Sequence, residues 1–121
     1  MNVKHLLQNW GAWSRCRIGT EYPPVALGML DAVRWSQNSI DLTFTDEVAL
    51  RVDRAVAELK NFEGEGRNLH YLLKHYYVSC YSCRYLAEVY DCRPDRISRE
   101  LARAEMWVAA RLHSDPLVCV A

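Results

Sequence analysis

The chain predicts an all-α fold, a compact helical domain of about five helices that ends in a helix-turn-helix. Three observations predict it. Apolar residues recur at three- and four-residue spacing in several separate stretches of the 121-residue sequence. Residues that cap or break helices fall between those stretches. The segment from Ser82 to Leu112, SCRYLAEVYDCRPDRISRELARAEMWVAARL, has the form of a short helix, a tight turn and a longer helix. The whole chain, residues 1–121, reads as a single helical domain with residues 66–113 as its helix-turn-helix portion, without internal repeats or low-complexity segments.

The first helix is marked by Val3, Leu6, Leu7, Trp10 and Trp13 on one face and is expected to end near Arg17. Gly11 lies inside it and weakens the helix by about 1 kcal/mol relative to Ala. Two tryptophans three residues apart read as core anchors, with a partner surface as the alternative. From Ile18 to Asp41 no periodicity is sustained. Pro23–Pro24, Gly28 and Ser36–Gln37–Asn38 favour loops or short turns, and Val25 to Val33 has the makings of one short helix. Irregular stretches of this length are uncommon in compact domains and are often functional. The segment therefore reads either as a packed connector or as a binding loop anchored by Tyr22 and Trp35.

Thr43 or Thr45 can cap the next helix, with Asp46 and Glu47 in its first turn and Val48, Val52, Ala55, Val56 and Leu59 as its apolar stripe. Glu63–Gly64–Glu65–Gly66 breaks the chain, and a Leu- and Tyr-rich helix follows from about Asn68 to Ser79. Residues after Leu112 read as a short tail.

Within the helix-turn-helix, Ala87 is small enough to let the second helix cross closely, and Leu86, Val89 and Tyr90 are expected to face the core. Asp91 and Cys92 make the turn. Asp tolerates the left-handed backbone such a turn needs, although Gly is the commoner residue there. Pro94 suits the first helical position, where its missing N–H has no intrahelical partner, and Asp95 sets negative charge at the positive end of the helix dipole. Ile97, Leu101, Ala104, Val108 and Leu112 form one apolar stripe. Arg96, Arg99 and Arg103 fall within an arc of roughly 60° away from it. A second helix of this kind enters the DNA major groove, and its N-terminal residues are best placed to reach base edges. Arginine contacts phosphates or pairs bidentately with guanine. Base reading is therefore assigned to Asp95, Arg96, Ser98 and Arg99, and phosphate contact to Arg84, Arg93 and Arg103. Solvated charge on a plain helical hairpin is the competing account. It gains no help from Glu-to-Arg pairs at four-residue spacing, which are absent here.

Composition bounds these assignments. Formal net charge is zero, whereas a domain that holds DNA by charge alone is usually basic. Weak DNA binding reinforced by a protein partner fits that balance. No segment approaches the roughly 20 apolar residues of a membrane span, and the N-terminal MNVKHLLQNWGAWSR lacks the apolar core of a signal peptide. A cytoplasmic protein without a membrane partner is expected. Five cysteines, Cys16, Cys80, Cys83, Cys92 and Cys119, then default to free thiols. Cys80 and Cys83 form a C-x-x-C near Cys92, His70, His75 and His113, so zinc is an alternative. The pair sits inside the pattern Leu69, Leu72, Leu73, Tyr76, Tyr77, Cys80, Cys83, and no second C-x-x-C or H-x3-H completes a site. Buried free cysteines and no metal or other cofactor are the expectation. No nucleophile–base pair or metal triad suggests an enzyme or a small-molecule substrate. Tyr76, Tyr77 and His75 read as packing and helix-end residues.

The N-terminal LLQNWGAWSR resembles the opening of the lambdoid phage antitermination protein Q family, in its branch of small zinc-free proteins. The distal HYYVSCYSCRYLAEVYDCRPDRISRELARAEMWVAARL is similar to the C-terminal half of the same family. There an aromatic pair, here Tyr76–Tyr77, leads into a Leu–Ala helix and then a helix containing Ala–Glu, here Ala104–Glu105. This distal part also resembles region 4 of bacterial sigma factors. The likeness covers both ends, roughly half the chain, and little of Ile18 to Phe62. It implies a protein of the bacterial host cytoplasm that binds double-stranded DNA near a phage late promoter. Such proteins load onto RNA polymerase paused there with its sigma factor and let it read through terminators, with narrowing of the RNA exit channel as the associated physical idea. By the same resemblance Arg93, Asp95, Arg96, Ser98 and Arg99 occupy DNA-reading positions. Asp91 in place of a turn Gly and the extra C-x-x-C depart from the sigma-like pattern. The alternative function is a conventional helix-turn-helix regulator acting on initiation as a dimer, which would favour palindromic half-sites about 34–36 Å apart.

Overall fold

The computed structural model describes residues 2–17, 43–62 and 66–118, which form five α-helices in an all-α domain. Helix α1 (Val3–Arg17) is opened by Asn2, whose side-chain oxygen accepts from His5 N–H at 2.8 Å. Its periodic residues Leu6, Leu7, Trp10 and Trp13 are buried. Both indole N–H groups donate to carboxylates of the next helix, Trp10 to Asp53 at 3.1 Å and Trp13 to Asp46 at 3.0 Å. Buried indoles normally find such partners. The tryptophans are core anchors, and the alternative of a partner surface is overturned by their burial.

Helix α2 (Asp46–Glu58) is capped by Thr45, whose hydroxyl accepts from Val48 N–H at 3.3 Å, and it ends in a 3₁₀ turn at Leu59–Asn61. Val52, Ala55, Val56 and Leu59 are buried and Val48 is half-buried against the core. Phe44, just before the cap, is buried with Ala49, the arrangement that fixes how a chain enters a helix.

Helix α3 (Gly66–Leu73) runs directly into one π-helical turn, Lys74–Val78. The expected single helix to Ser79 is thus distorted over its last turn. A left-handed residue, Cys80 (φ 58°), ends the segment. The C-x-x-C therefore lies at a break between helices, not within one as its spacing suggested. Cys80 is buried, Cys83 and Cys92 are half-buried, and Cys16 is exposed, so among the described cysteines only Cys80 meets the expectation of full burial.

Helices α4 (Cys83–Val89) and α5 (Pro94–Leu112) complete the chain order. The stripe Ile97, Leu101, Ala104, Val108 and Leu112 is buried throughout, as its spacing requires. Helix α5 is central: it packs against α1, α2, α3 and α4. Residues beyond Leu112 are more than a tail. Asp115 takes both of its oxygens to Arg51 of α2 at 3.0 Å, and Val118 is buried. Arg111 is likewise paired with Glu58 of α2 at 2.6 Å. The segment Ile18 to Asp41, with its possible short helix and with Tyr22 and Trp35, lies outside the described residues, as does Cys119.

Candidate nucleic-acid interface

The turn between α4 and α5 is built by hydrogen bonds that only a left-handed residue permits. Cys92 N–H donates to Ala87 C=O at 2.9 Å, and Asp91 N–H donates to Glu88 C=O at 3.3 Å. This is the Schellman closure of a helix, and Asp91 sits at its left-handed position with φ 53°. Glycine is usual there because it has no Cβ penalty. Asp91 takes the same conformation, so the departure from the expected turn residue leaves the geometry intact. Ser82 caps α4 by accepting from Tyr85 N–H at 3.1 Å. Ala87 and Leu86 are buried where the two helices cross. Val89 and Tyr90, expected to face the core, are instead 57% and 39% exposed. The Schellman turn reverses the chain at once, which places the last α4 residues outside the crossing.

Pro94 occupies the first helical position of α5 and Asp95 its first turn. Arg93 has extended backbone at the cap, with its carbonyl accepting from Arg96 and Ile97 N–H at 3.0 and 3.4 Å. The seven residues assigned from the sequence lie on α4, the turn and the first three turns of α5. Arg84, Arg93, Asp95, Arg96, Ser98, Arg99 and Arg103 are all exposed. From Arg96 to Arg103 the helix rises about 10 Å.

The local charge balance is close to even. Between residues 82 and 103 five arginines face four carboxylates, Glu88, Asp91, Asp95 and Glu100. What matters is therefore which charges are tied up. Arg103 pairs with Glu100 at 3.2 Å, a three-residue spacing that a search at four residues passes over. Arg84, Arg93, Arg96 and Arg99 make no ion pair with another described residue. A groove of about 220 Å³ runs beside Arg96 between α3 and α5, floored by Leu69, Leu72 and Ile97.

Behind this face lies a set of residues that periodicity alone did not assign. Glu105 is buried on α5 and accepts from the Tyr77 hydroxyl at 3.2 Å. Burial pushes its carboxyl above the usual range, while the Lys4 charge and the Tyr77 hydrogen bond pull the other way. Arg15, also buried, donates to the carbonyls of Tyr77 at 2.8 Å and Val78 at 3.2 Å, and to the Cys80 sulfur at 3.0 Å. A signal for Glu105 exists in the sequence: it falls between Leu101 and Leu112 at helical spacing, a carboxylate on the edge of an apolar stripe. His70 is buried as well, with Nδ1 2.9 Å from Val56 C=O, and desolvation lowers its pKa. Among the described residues no three His, Cys, Asp or Glu side chains come close enough to hold a metal ion. Nor, among them, is any helix long and apolar enough to cross a membrane.

Fold and surface together define an all-α protein whose last two helices, joined by a tight turn, carry exposed arginines. Residues 1–116 match the family model described as phage antitermination protein Q, and the chain belongs to that family. The match spans the middle of the chain, which the N- and C-terminal likenesses leave bare. No curated protein and no solved structure matches the chain.

Proposed function

We propose that the protein is a phage or prophage transcription antiterminator of the small zinc-free kind. On this reading α4 and α5 bind double-stranded DNA near a late promoter. The protein then loads onto bacterial RNA polymerase paused there with its sigma factor and carries it through terminators. The observation that carries the reading is an exposed arginine face on the second helix of a helix-turn-helix, in a chain that belongs to the antitermination protein Q family over residues 1–116. Asp95, Arg96, Ser98 and Arg99 reach base edges, and Arg84, Arg93 and Arg103 meet phosphates. A zinc-free protein is supported by the Cys80 thiol, which is buried and occupied by the Arg15 guanidinium.

The zero net charge supports a second partner. Phosphate contacts set most of a DNA-binding protein's affinity, and a chain of zero net charge gains little from its overall field. A polymerase held at the same place supplies the remaining binding free energy, since tethering turns the second contact into an intramolecular one. The test is single-round transcription from a late promoter with a promoter-proximal pause and a downstream terminator. The expected result is increased read-through without a change in initiation. A change in initiation alone would reject this function in favour of a conventional regulator.

A further inference from the structure

One face of α1 grips the residue that in turn holds α5. Lys4, Gly11 and Arg15 are spaced by seven and four residues and so share that face. A Cβ on Gly11 would overlap the Tyr77 carbonyl group, so the α1 backbone lies directly on the π turn. Arg15 donates to the Tyr77 and Val78 carbonyls from the same side. Tyr77 is thus fixed through its main chain by α1, and its side chain crosses to the DNA-proposed helix, where the hydroxyl donates to Glu105. The Lys4 charge acts on that same carboxyl. The π turn at Lys74–Val78 is the local distortion that presents Tyr77 to both helices. Such turns are uncommon and concentrate at functional sites.

We propose that Tyr77 and Glu105 are positioning residues for DNA binding: anchored by Gly11 and Arg15 of α1, they set the pose in which α5 offers Arg96 and Arg99 to the groove. This rests on the DNA-binding reading given above. It makes α1 part of the reading device, so that the helix-turn-helix is not an autonomous module. A helix shifted by about 1 Å keeps its arginines and its fold but loses register with phosphates.

The test uses the full chain and a short fluorescent duplex of mixed sequence, titrated at several salt concentrations. Tyr77→Phe removes only the hydroxyl, Glu105→Leu removes the acceptor, and Glu105→Gln keeps one. None of the three adds or removes an exposed charge, so a protein that is simply less stable keeps the salt slope of the native chain. In Tyr77→Phe and Glu105→Leu the slope should fall by about one unit for each phosphate that the shifted helix no longer neutralises, and Glu105→Gln should largely restore it. Amide spectra of the free protein supply an arm independent of DNA. Tyr77→Phe should move the resonances of Asp95 to Ser98, about two turns and more from Glu105, the partner of the removed hydroxyl. A native slope with unmoved amides at Asp95 to Ser98 overturns the proposal. Failure of the unmodified chain to show any salt-dependent binding rejects the DNA reading instead, while the amide shifts still decide whether Tyr77 places α5.

Discussion

At Gly11 two local preferences conflict, and geometry decides which wins. Helix propensity favours Ala there by about 1 kcal/mol. The Cβ that Ala would add runs into the Tyr77 carbonyl, a backbone group that cannot swing away. Gly11→Ala should therefore destabilise the protein by about 1–3 kcal/mol in a urea melt, and a more stable variant would mean that α1 does not sit on the π turn. Asp91 presents the reverse case, a residue with a Cβ where none is wanted. Asp91→Gly should raise stability by up to about 1 kcal/mol, because the left-handed turn is kept and its strain is relieved. Glu105 adds a pH dependence. Its folded pKa lies above the ordinary 4.5, so the folded chain holds this proton more readily than the unfolded one. The stability this contributes is fully present below 4.5 and is lost as pH rises through the folded value. Relative to the native chain, Glu105→Gln should gain stability as pH rises from about 4.5 through the folded value and hold that gain above it, and a difference that stays flat across the range would show the carboxyl to be well solvated. The periodicity made Glu105 visible only as an exception. Its partner Tyr77 is remote in sequence, and nothing local marks the pair.

At the scale of elements, caps and stripes were legible because each is a local device. Thr45, Ser82 and Pro94 each act within one turn, and the α5 stripe follows from its spacing. The π turn was not legible: it lies where Gly11 of α1 closely approaches Tyr77, a contact remote in sequence. The exposure of Val89 and Tyr90 escaped for a related reason: apolar character places a residue in the core only if another element reaches it. The positions of the arginines were legible, but their pairing was only partly so. Arg103 is held by Glu100, half-exposed at the surface, where such a pair is worth less than about 1 kcal/mol and yields readily to a phosphate. Glu100→Gln should accordingly strengthen duplex binding at low salt, by weakening this pair and removing a like charge from the phosphates. Equal affinity would place this part of α5 outside the interface. Arg99→Ala should cost about 1–3 kcal/mol on a cognate site and relax specificity at one base position.

At the scale of the whole molecule, the fold is organised around α5, which touches each of the other four helices. The helix proposed to read DNA is therefore also the core of the protein. Its two faces differ: the buried stripe holds the fold, and the arginine face is exposed. The N-terminal tryptophans, two α2 carboxylates and the Arg51–Asp115 clamp close the domain around it. The zero net charge, unusual for a protein that would act on DNA alone, agrees with a role completed by polymerase. The most direct measurement is the fraction of read-through at a terminator in single-round transcription, comparing the native chain with Arg96→Ala/Arg99→Ala at limiting protein concentration. Both substitutions lie on the exposed face, so the helical content and melting temperature should stay native. The account predicts strong read-through for the native chain and near-basal read-through for the double variant. Read-through of equal strength in the two would contradict it.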